Sequence, residues 1–187
     1  MRLAVLASGS GTLLEAMAVG GLPIDLVMVD RHCAVEHVAA EHAIECRLVE
    51  RTDFGPTFDR DAYTDRVLDR LSIERIDLIA MAGWGTILGP AAFAAYPGRV
   101  LNTHPSLLPA FPGWHAVRAA LDHGVKVTGC TVHVATEQVD AGPILAQEAV
   151  PVLDGDDEAT LHERIKGVER QLYVRTISDI LERERVS

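Results

Sequence analysis

Asn102 and His104 stand where a β-strand could deliver them to chemistry. Leu101-Asn102-Thr103-His104-Pro105 reads as a strand end cut off by proline. Side chains two apart on a strand share a face, so Asn102 and His104 project together. In an open α/β sheet, ligands gather at the carboxyl ends of the strands. An amide donor beside an imidazole there can stabilise a developing oxyanion. The alternative is a polar pair that caps its own loop, Ser106 to Gly113, which carries Pro109, Pro112 and Gly113. Asp140, in Val139-Asp140-Ala141-Gly142-Pro143, is either a turn former or a partner for His104. If its loop folds toward His104, its charge favours the imidazolium.

A second candidate site is Gly9-Ser10-Gly11-Thr12, where a first strand turns into a first helix. Glycines let the backbone approach a ligand, and the free N–H groups of the helix start point at an anion. Leu14 breaks a G-x-G-x-x-G pattern, and no Gly-Lys-Ser/Thr follows for a Walker loop. Ser8 and Thr12 occupy the glycine positions of a nucleophile elbow. What remains is a compact cradle for one phosphate, or a tight turn without a ligand. Asp30 ends the second strand where dinucleotide folds place a ribose-binding acid, but the missing third glycine weighs against that reading.

Two groups imitate metal sites. His32, Cys33, His37, His42 and Cys46 fit no standard zinc spacing. Asp154, Asp156 and Glu158 hint at a calcium loop, yet Ala159 and Ile165 stand where Gly and Glu are needed. Helix capping explains that run better, and no metal is expected.

The elements that must position these residues alternate in the first half. Leu3–Ala7, Ile24–Val29, Cys46–Val49, Ile76–Met81 and Arg99–Thr103 read as strands. Between them, Thr12–Val19, Ala34–His42 and Asp59–Leu71 read as helices, and Gly89-Pro90 opens a short one. Trp114–His123 is a further helix. Lys126–Ala135 and Gly142–Val150 are two long strands, and their connection, Thr136–Ala141, is hairpin-sized. The last segment opens at Asp154-Gly155-Asp156-Asp157 and carries Leu161, Ile165, Val168 and Leu172 on one helix face. The fold class is α/β: an open, mostly parallel twisted sheet, Rossmann-like, with an antiparallel C-terminal strand pair and a long C-terminal helix.

Composition narrows the function. The 187 residues, 48% hydrophobic and 24% charged, fit one domain, 1–187, with halves at 1–100 and 101–187. A net charge of -10 argues against a nucleic-acid partner, and only two of the 17 cations, Lys126 and Lys166, are lysines. Anionic ligands must be held by local devices. The apolar stretch Ile76–Tyr96 holds Asp77, three glycines and Pro90, a poor membrane span. Three cysteines without a C-x-x-C pattern suit a reducing compartment, so a cytoplasmic location is expected.

Asn102-Thr103-His104-Pro105-Ser106-Leu107-Leu108-Pro109 resembles the signature of folate-dependent formyltransferases. Ala7–Gly11, Ala82-Gly83, Phe111-Pro112-Gly113, Gly129–His133, Asp140–Ile144 and Glu163–Glu169 sharpen the resemblance to the phosphoribosylglycinamide formyltransferase family. It implies formyl transfer from 10-formyltetrahydrofolate to the amine of glycinamide ribonucleotide in purine synthesis. It implies Asn102, His104 and Asp140 as the catalytic set. Gly11, Thr12 and Leu13 would hold the substrate phosphate, and Pro105 and Glu169 would line the ribonucleotide site. Arg60 would meet the folate's glutamate tail. Gly85, Thr86, Ile87 and Leu88, with Thr136, Glu137, Gln138, Val139 and Asp140, would wall the pterin pocket together with Asn102. Family members occur as monomers or homodimers.

The chain departs from the family at three places. Gly85-Thr86 replace the common Met-Arg, which removes bulk and a cation beside both ligands. Leu13 replaces a frequent Asn, and the chain stops at Ser187, where many relatives continue. Methionyl-tRNA formyltransferases and formyltetrahydrofolate hydrolases would need a further domain. A sugar-amine formyltransferase, or a protein that binds folate or nucleotide without turnover, are the alternatives. An NAD oxidoreductase is a distant one.

Overall fold

Leu3–Ala7 is an unbroken apolar run, and it forms β1 with all five residues buried. A strand covered on both faces needs no alternation of polar and apolar residues. The computed structural model describes residues 1–186. After β1 come α1 (Thr12–Val19), β2 (Ile24–Val29), α2 (Val35–Glu41), β3 (Cys46–Leu48), α3 (Arg60–Ile73) and β4 (Leu78–Met81). Then follow α4 (Pro90–Ala95), β5 (Val100–His104), α5 (Ala116–His123), β6 (Val127–Val134), β7 (Ile144–Pro151) and α6 (Glu158–Arg183). The chain divides into two compact units, with the boundary between Leu101 and Asn102, inside β5.

In the first unit the strands run in the order β3-β2-β1-β4, continued by the start of β5, all parallel. The chain steps outward from β1 to β3, then returns to the other side of β1 with β4. A reversal of this kind is where open α/β sheets bind ligands, outside the carboxyl ends of the strands, here β1 and β4. Gly11, at φ 79°, caps α1. A Cβ there would come within 2.9 Å of Val38 Cγ2, so α2 as well as the backbone turn demands glycine. At the start of α3, Asp59 accepts a 2.9 Å bond from the Ala62 N–H. Buried Tyr63 then donates its hydroxyl to the Val49 carbonyl at 2.9 Å.

The second unit holds the rest of β5, then β6 and β7, the antiparallel part of the sheet. β6 and β7 pair from Val127↔Pro151 to His133↔Ile144, with an irregularity between Val132 and His133. α6 packs on both strands. Leu161, Ile165 and Leu172 are buried as the sequence spacing requires, while Val168 is half-buried. The helix is capped by Asp157, which exchanges bonds with Thr160 in a capping box.

Element ends shift for local reasons. β4 starts at Leu78 instead of Ile76, because the Asp77 carboxylate turns to accept the Arg2 N–H at 2.8 Å. β5 runs one residue further than expected, so His104 itself lies in the strand. α5 starts at Ala116 instead of Trp114, because His115 adopts a left-handed φ of 64°.

Gly129 is one position of the second unit that has no room for a side chain. A Cβ there would lie 2.1 Å from the Glu148 carbonyl oxygen. Gly129→Ala should lower stability by about 1–3 kcal/mol, as overpacking does. Urea unfolding reads this as a lower midpoint at unchanged slope. An unchanged midpoint would show that β6 and β7 are not so close.

Candidate active site

Asn102 and His104 share a face of β5, and the loop after them is pinned from β6 and β7. The Thr131 hydroxyl donates to the Ser106 carbonyl at 2.7 Å and accepts the Leu108 N–H at 3.0 Å. Gln147 Nε2 donates to the Leu108 carbonyl at 2.9 Å. The Ser106 hydroxyl turns back onto the Ala110 carbonyl at 2.5 Å. These bonds fix Phe111 and Gly113, which the site uses directly.

His104 Nε2 donates to the Phe111 carbonyl at 2.8 Å. A carbonyl only accepts, so this nitrogen carries a hydrogen. His104 Nδ1 faces Asp140 Oδ2 at 3.3 Å. The loop between β6 and β7 therefore does fold toward His104, which the sequence left open. Asp140 is at φ 56°, and its side chain is only 5% exposed. Its Oδ2 also accepts the Gly113 N–H at 2.7 Å. Gly142 allows the tight return, since a Cβ there would sit 1.9 Å from the Val134 carbonyl oxygen.

His133 is the member that residue-level reading missed. It is 1% exposed, and its Nε2 lies 3.6 Å from Asp140 Oδ1. Its Nδ1 donates to the Val134 carbonyl at 3.1 Å, so Nε2 is free to accept from Asn102 Nδ2 at 3.3 Å. Burial holds this imidazole below its ordinary range, in keeping with the neutral form. Its signal was a lone histidine in Val127–Val134, a strand buried in all but its first residue, seven residues before Asp140. Asn102 is thereby oriented by a neutral acceptor, with one amide N–H still available.

Glu169, on α6, accepts from the Thr103 hydroxyl at 3.0 Å, and burial raises its pKa. Pro105 follows His104 and is half-buried. In the connection, the Thr136 hydroxyl donates to the Gln138 carbonyl at 2.9 Å, while Glu137, Gln138 and Val139 are exposed.

The first unit holds the glycine cradle and the 85–88 segment. Thr12 is exposed, but the Leu13 side chain is buried, so an anion meets only its backbone N–H. The Ser8 hydroxyl accepts the Gly85 N–H at 2.8 Å, which ties the ends of β1 and β4 together. Thr86 is buried and donates to Asp30 Oδ2 at 2.8 Å. Ile87 is exposed and Leu88 buried. Arg60, the first residue of α3, is exposed.

Asp30 does not serve as a ribose-binding acid. It is fully buried, and both of its oxygens are taken by Arg31 at 2.9 and 3.0 Å. Burial pushes its pKa up, but bonds from Arg31, Thr86 and Ser8 together hold it below the usual value. His42 pairs with Glu15 at 2.7 Å and His32 with Glu36 at 3.0 Å. Among the described residues, no three His, Cys, Asp or Glu side chains group as metal ligands would.

An amide, an imidazole and a buried carboxylate at a strand end make this an α/β protein equipped for acyl-group transfer. A family model described as formyl transferase matches residues 1–177. Over 182 residues the chain is 49% identical to the phosphoribosylglycinamide formyltransferase of Mycobacterium tuberculosis strain H37Rv, covering 95% of this chain and 83% of that protein. It is 41% identical over 180 residues to the trifunctional purine biosynthetic protein adenosine-3 of Gallus gallus, covering 92% of this chain but 18% of that protein. The solved phosphoribosylglycinamide formyltransferase of Bacillus halodurans superposes with a TM-score of 0.88 at 39% identity, covering 97% and 95% of the two chains. The chain belongs to the formyl transferase family, and within it to the phosphoribosylglycinamide formyltransferases.

Because folding lowers the His133 pKa, the unfolded chain binds its proton more readily. The associated stability is complete above about pH 6.5 and is lost as pH falls below it. His162 is shifted in the same direction. His133→Gln keeps an acceptor for Asn102 but cannot titrate. Its urea midpoint should fall less than that of the unmodified protein between about pH 7 and pH 5. An equal fall would assign the pH dependence to other groups.

Proposed function

We propose that this chain transfers the formyl group of 10-formyltetrahydrofolate to the amine of glycinamide ribonucleotide, a step of purine biosynthesis. The observation that carries the chemistry is the contact of His104 with a buried Asp140 beside an oriented Asn102. As the amine nitrogen attacks the formyl carbon, Asn102 and His104 donate to the oxygen that gains charge. The bond from that carbon to N10 of the folate then breaks. The proton released by the amine ends on N10, and Asp140 assists its movement.

His104 Nε2 is held on Phe111 at 2.8 Å, whereas Nδ1 approaches Asp140 at 3.3 Å. The longer contact is the one that opens to an incoming oxygen, because charge-assisted pairs normally close to about 2.7–2.9 Å. Catalytic hydrogen bonds often tighten only when substrate is bound.

On the same reading, the N–H groups of Gly11, Thr12 and Leu13 receive the substrate phosphate. Pro105 and Glu169 line the ribonucleotide site, with Glu169 accepting from ribose hydroxyls. Arg60 meets the glutamate tail of the folate. Gly85, Thr86, Ile87, Leu88 and residues 136–140 form walls for its pterin. Three free cysteines suit a reducing, cytoplasmic setting. No helix among the described residues is long and apolar enough to cross a membrane.

The test is formyl transfer, followed by absorbance with a 10-formyl folate, with and without glycinamide ribonucleotide. Turnover should require the ribonucleotide. His104→Ala and Asn102→Ala should each lower kcat by about 10²–10³, as loss of one oxyanion donor does. Asp140→Asn should cost about 10²–10⁴. Folate binding without transfer to this acceptor at saturation would favour a sugar amine as acceptor or a binding role without turnover.

A further inference from the structure

The loop after β3 carries an arginine that the roles above leave unexplained. Arg51 Nε donates to the Asp53 carbonyl at 2.8 Å, and a terminal nitrogen donates to the Thr86 hydroxyl at 3.3 Å. Its guanidinium carbon lies 4.6 Å from the Phe54 ring centroid and 4.0 Å from that of Phe58. Arg31 lies over the same Phe54 ring at 4.7 Å. The two arginines differ in charge balance. Arg31 is neutralised by both oxygens of Asp30. Among the described residues, no carboxylate pairs with Arg51. Asp53, on its own loop, turns its oxygens to the Gly55 N–H at 2.7 Å and the Thr57 hydroxyl at 2.8 Å.

Arg51 is therefore a half-buried guanidinium held by a carbonyl, a hydroxyl and two rings, with no carboxylate bonded to it; Asp53, whose oxygens are taken by its own loop, acts on it only through space. Such contacts orient a cation but leave its charge in place. They also leave terminal N–H groups unused, and a planar guanidinium edge matches a carboxylate. The bond to Thr86 joins Arg51 to the 85–88 segment, and Thr86 joins it in turn to Asp30. That segment carries no cation of its own. At Gly85 the space a side chain would use is bordered by Arg31, 3.5 Å from a built Cβ. Arg60 stands at the far end of the same loop.

We propose that Arg51 is a specificity-determining residue of the folate site, binding a carboxylate of the glutamate tail and supplying the cation that the 85–88 segment lacks. This rests on the reading of 85–88 as a wall of that site. The phosphate is the less suitable anion for Arg51, because the glycine cradle already provides backbone donors for it.

Arg51→Met and Arg51→Lys should be compared with the unmodified protein using two folates. One is 10-formyltetrahydrofolate with its glutamate, and the other is the same pteroyl compound ending in an uncharged amide. Arg51→Met should raise KM for the glutamyl folate about 10- to 100-fold, the usual effect of losing a charge-assisted bond. kcat and the KM for glycinamide ribonucleotide should stay unchanged, and KM for the uncharged compound should match the unmodified protein. Arg51→Lys, which keeps the charge without the fork, should fall between. Equal losses for both folates would make Arg51 a packing residue and overturn the proposal. So would a loss confined to the ribonucleotide, or no loss at all. Equilibrium binding of the two folates separates this proposal from the catalytic one. Tail-dependent binding that Arg51→Met abolishes would uphold it even in a protein without transfer activity, whereas binding blind to the tail would end it.

Discussion

A carboxylate buried in protein must be surrounded by donors, and Asp140 meets that demand by gathering distant parts of the second unit. Its side chain is 5% exposed. Its oxygens take the Gly113 N–H and face His104 and His133. Removing one partner of a buried charge leaves the other uncompensated, so such groups hold their neighbours firmly. The loop after β5, the end of β5 and the far end of β6 are thus drawn to one point. The backbone accommodates it at two places: Asp140 itself is left-handed, and Gly142 runs against Val134 where no Cβ fits.

The first unit repeats the device. Asp30 is fully buried at the end of β2, and donors from Arg31 and Thr86 satisfy it. Ser8 links the end of β1 to Gly85. The carboxyl ends of β1, β2 and β4 are locked together where the strand order reverses, which is where an open α/β sheet receives ligands. Asp30 and Asp140 are both buried carboxylates, and they differ in how tightly their oxygens are held. Both oxygens of Asp30 are taken at 2.8–3.0 Å, while Asp140 keeps a longer 3.3 Å contact with His104 Nδ1.

Charge follows the same economy. A chain of net charge -10 offers no general attraction to phosphates or carboxylates. The donors it does offer are local: the N–H groups at the start of α1, exposed Arg60, and a guanidinium held between Phe54 and Phe58. Local devices of this kind act over short distances, so they select a ligand by its shape and not by its charge alone.

Much of the fold was legible because it depends on local pattern. The run Leu3–Ala7, the turn at Gly11 and the spacing of Leu161, Ile165 and Leu172 each reflect burial on a strand or a helix face. The placement of Asn102 and His104 on one face followed from strand alternation alone. What sequence could not decide was contact between residues far apart along the chain. Whether Asp140 turned inward depended on the return of β7 along β6. That His133 accepts from Asn102 depended on which strand lies beside β5. The replacement of Met-Arg by Gly85-Thr86 read as a lost cation, and only the fold brought Arg51 to Thr86. Pattern within a segment is set by the solvent each side chain meets, whereas partnership between segments is set by packing, and packing exists only in the folded chain.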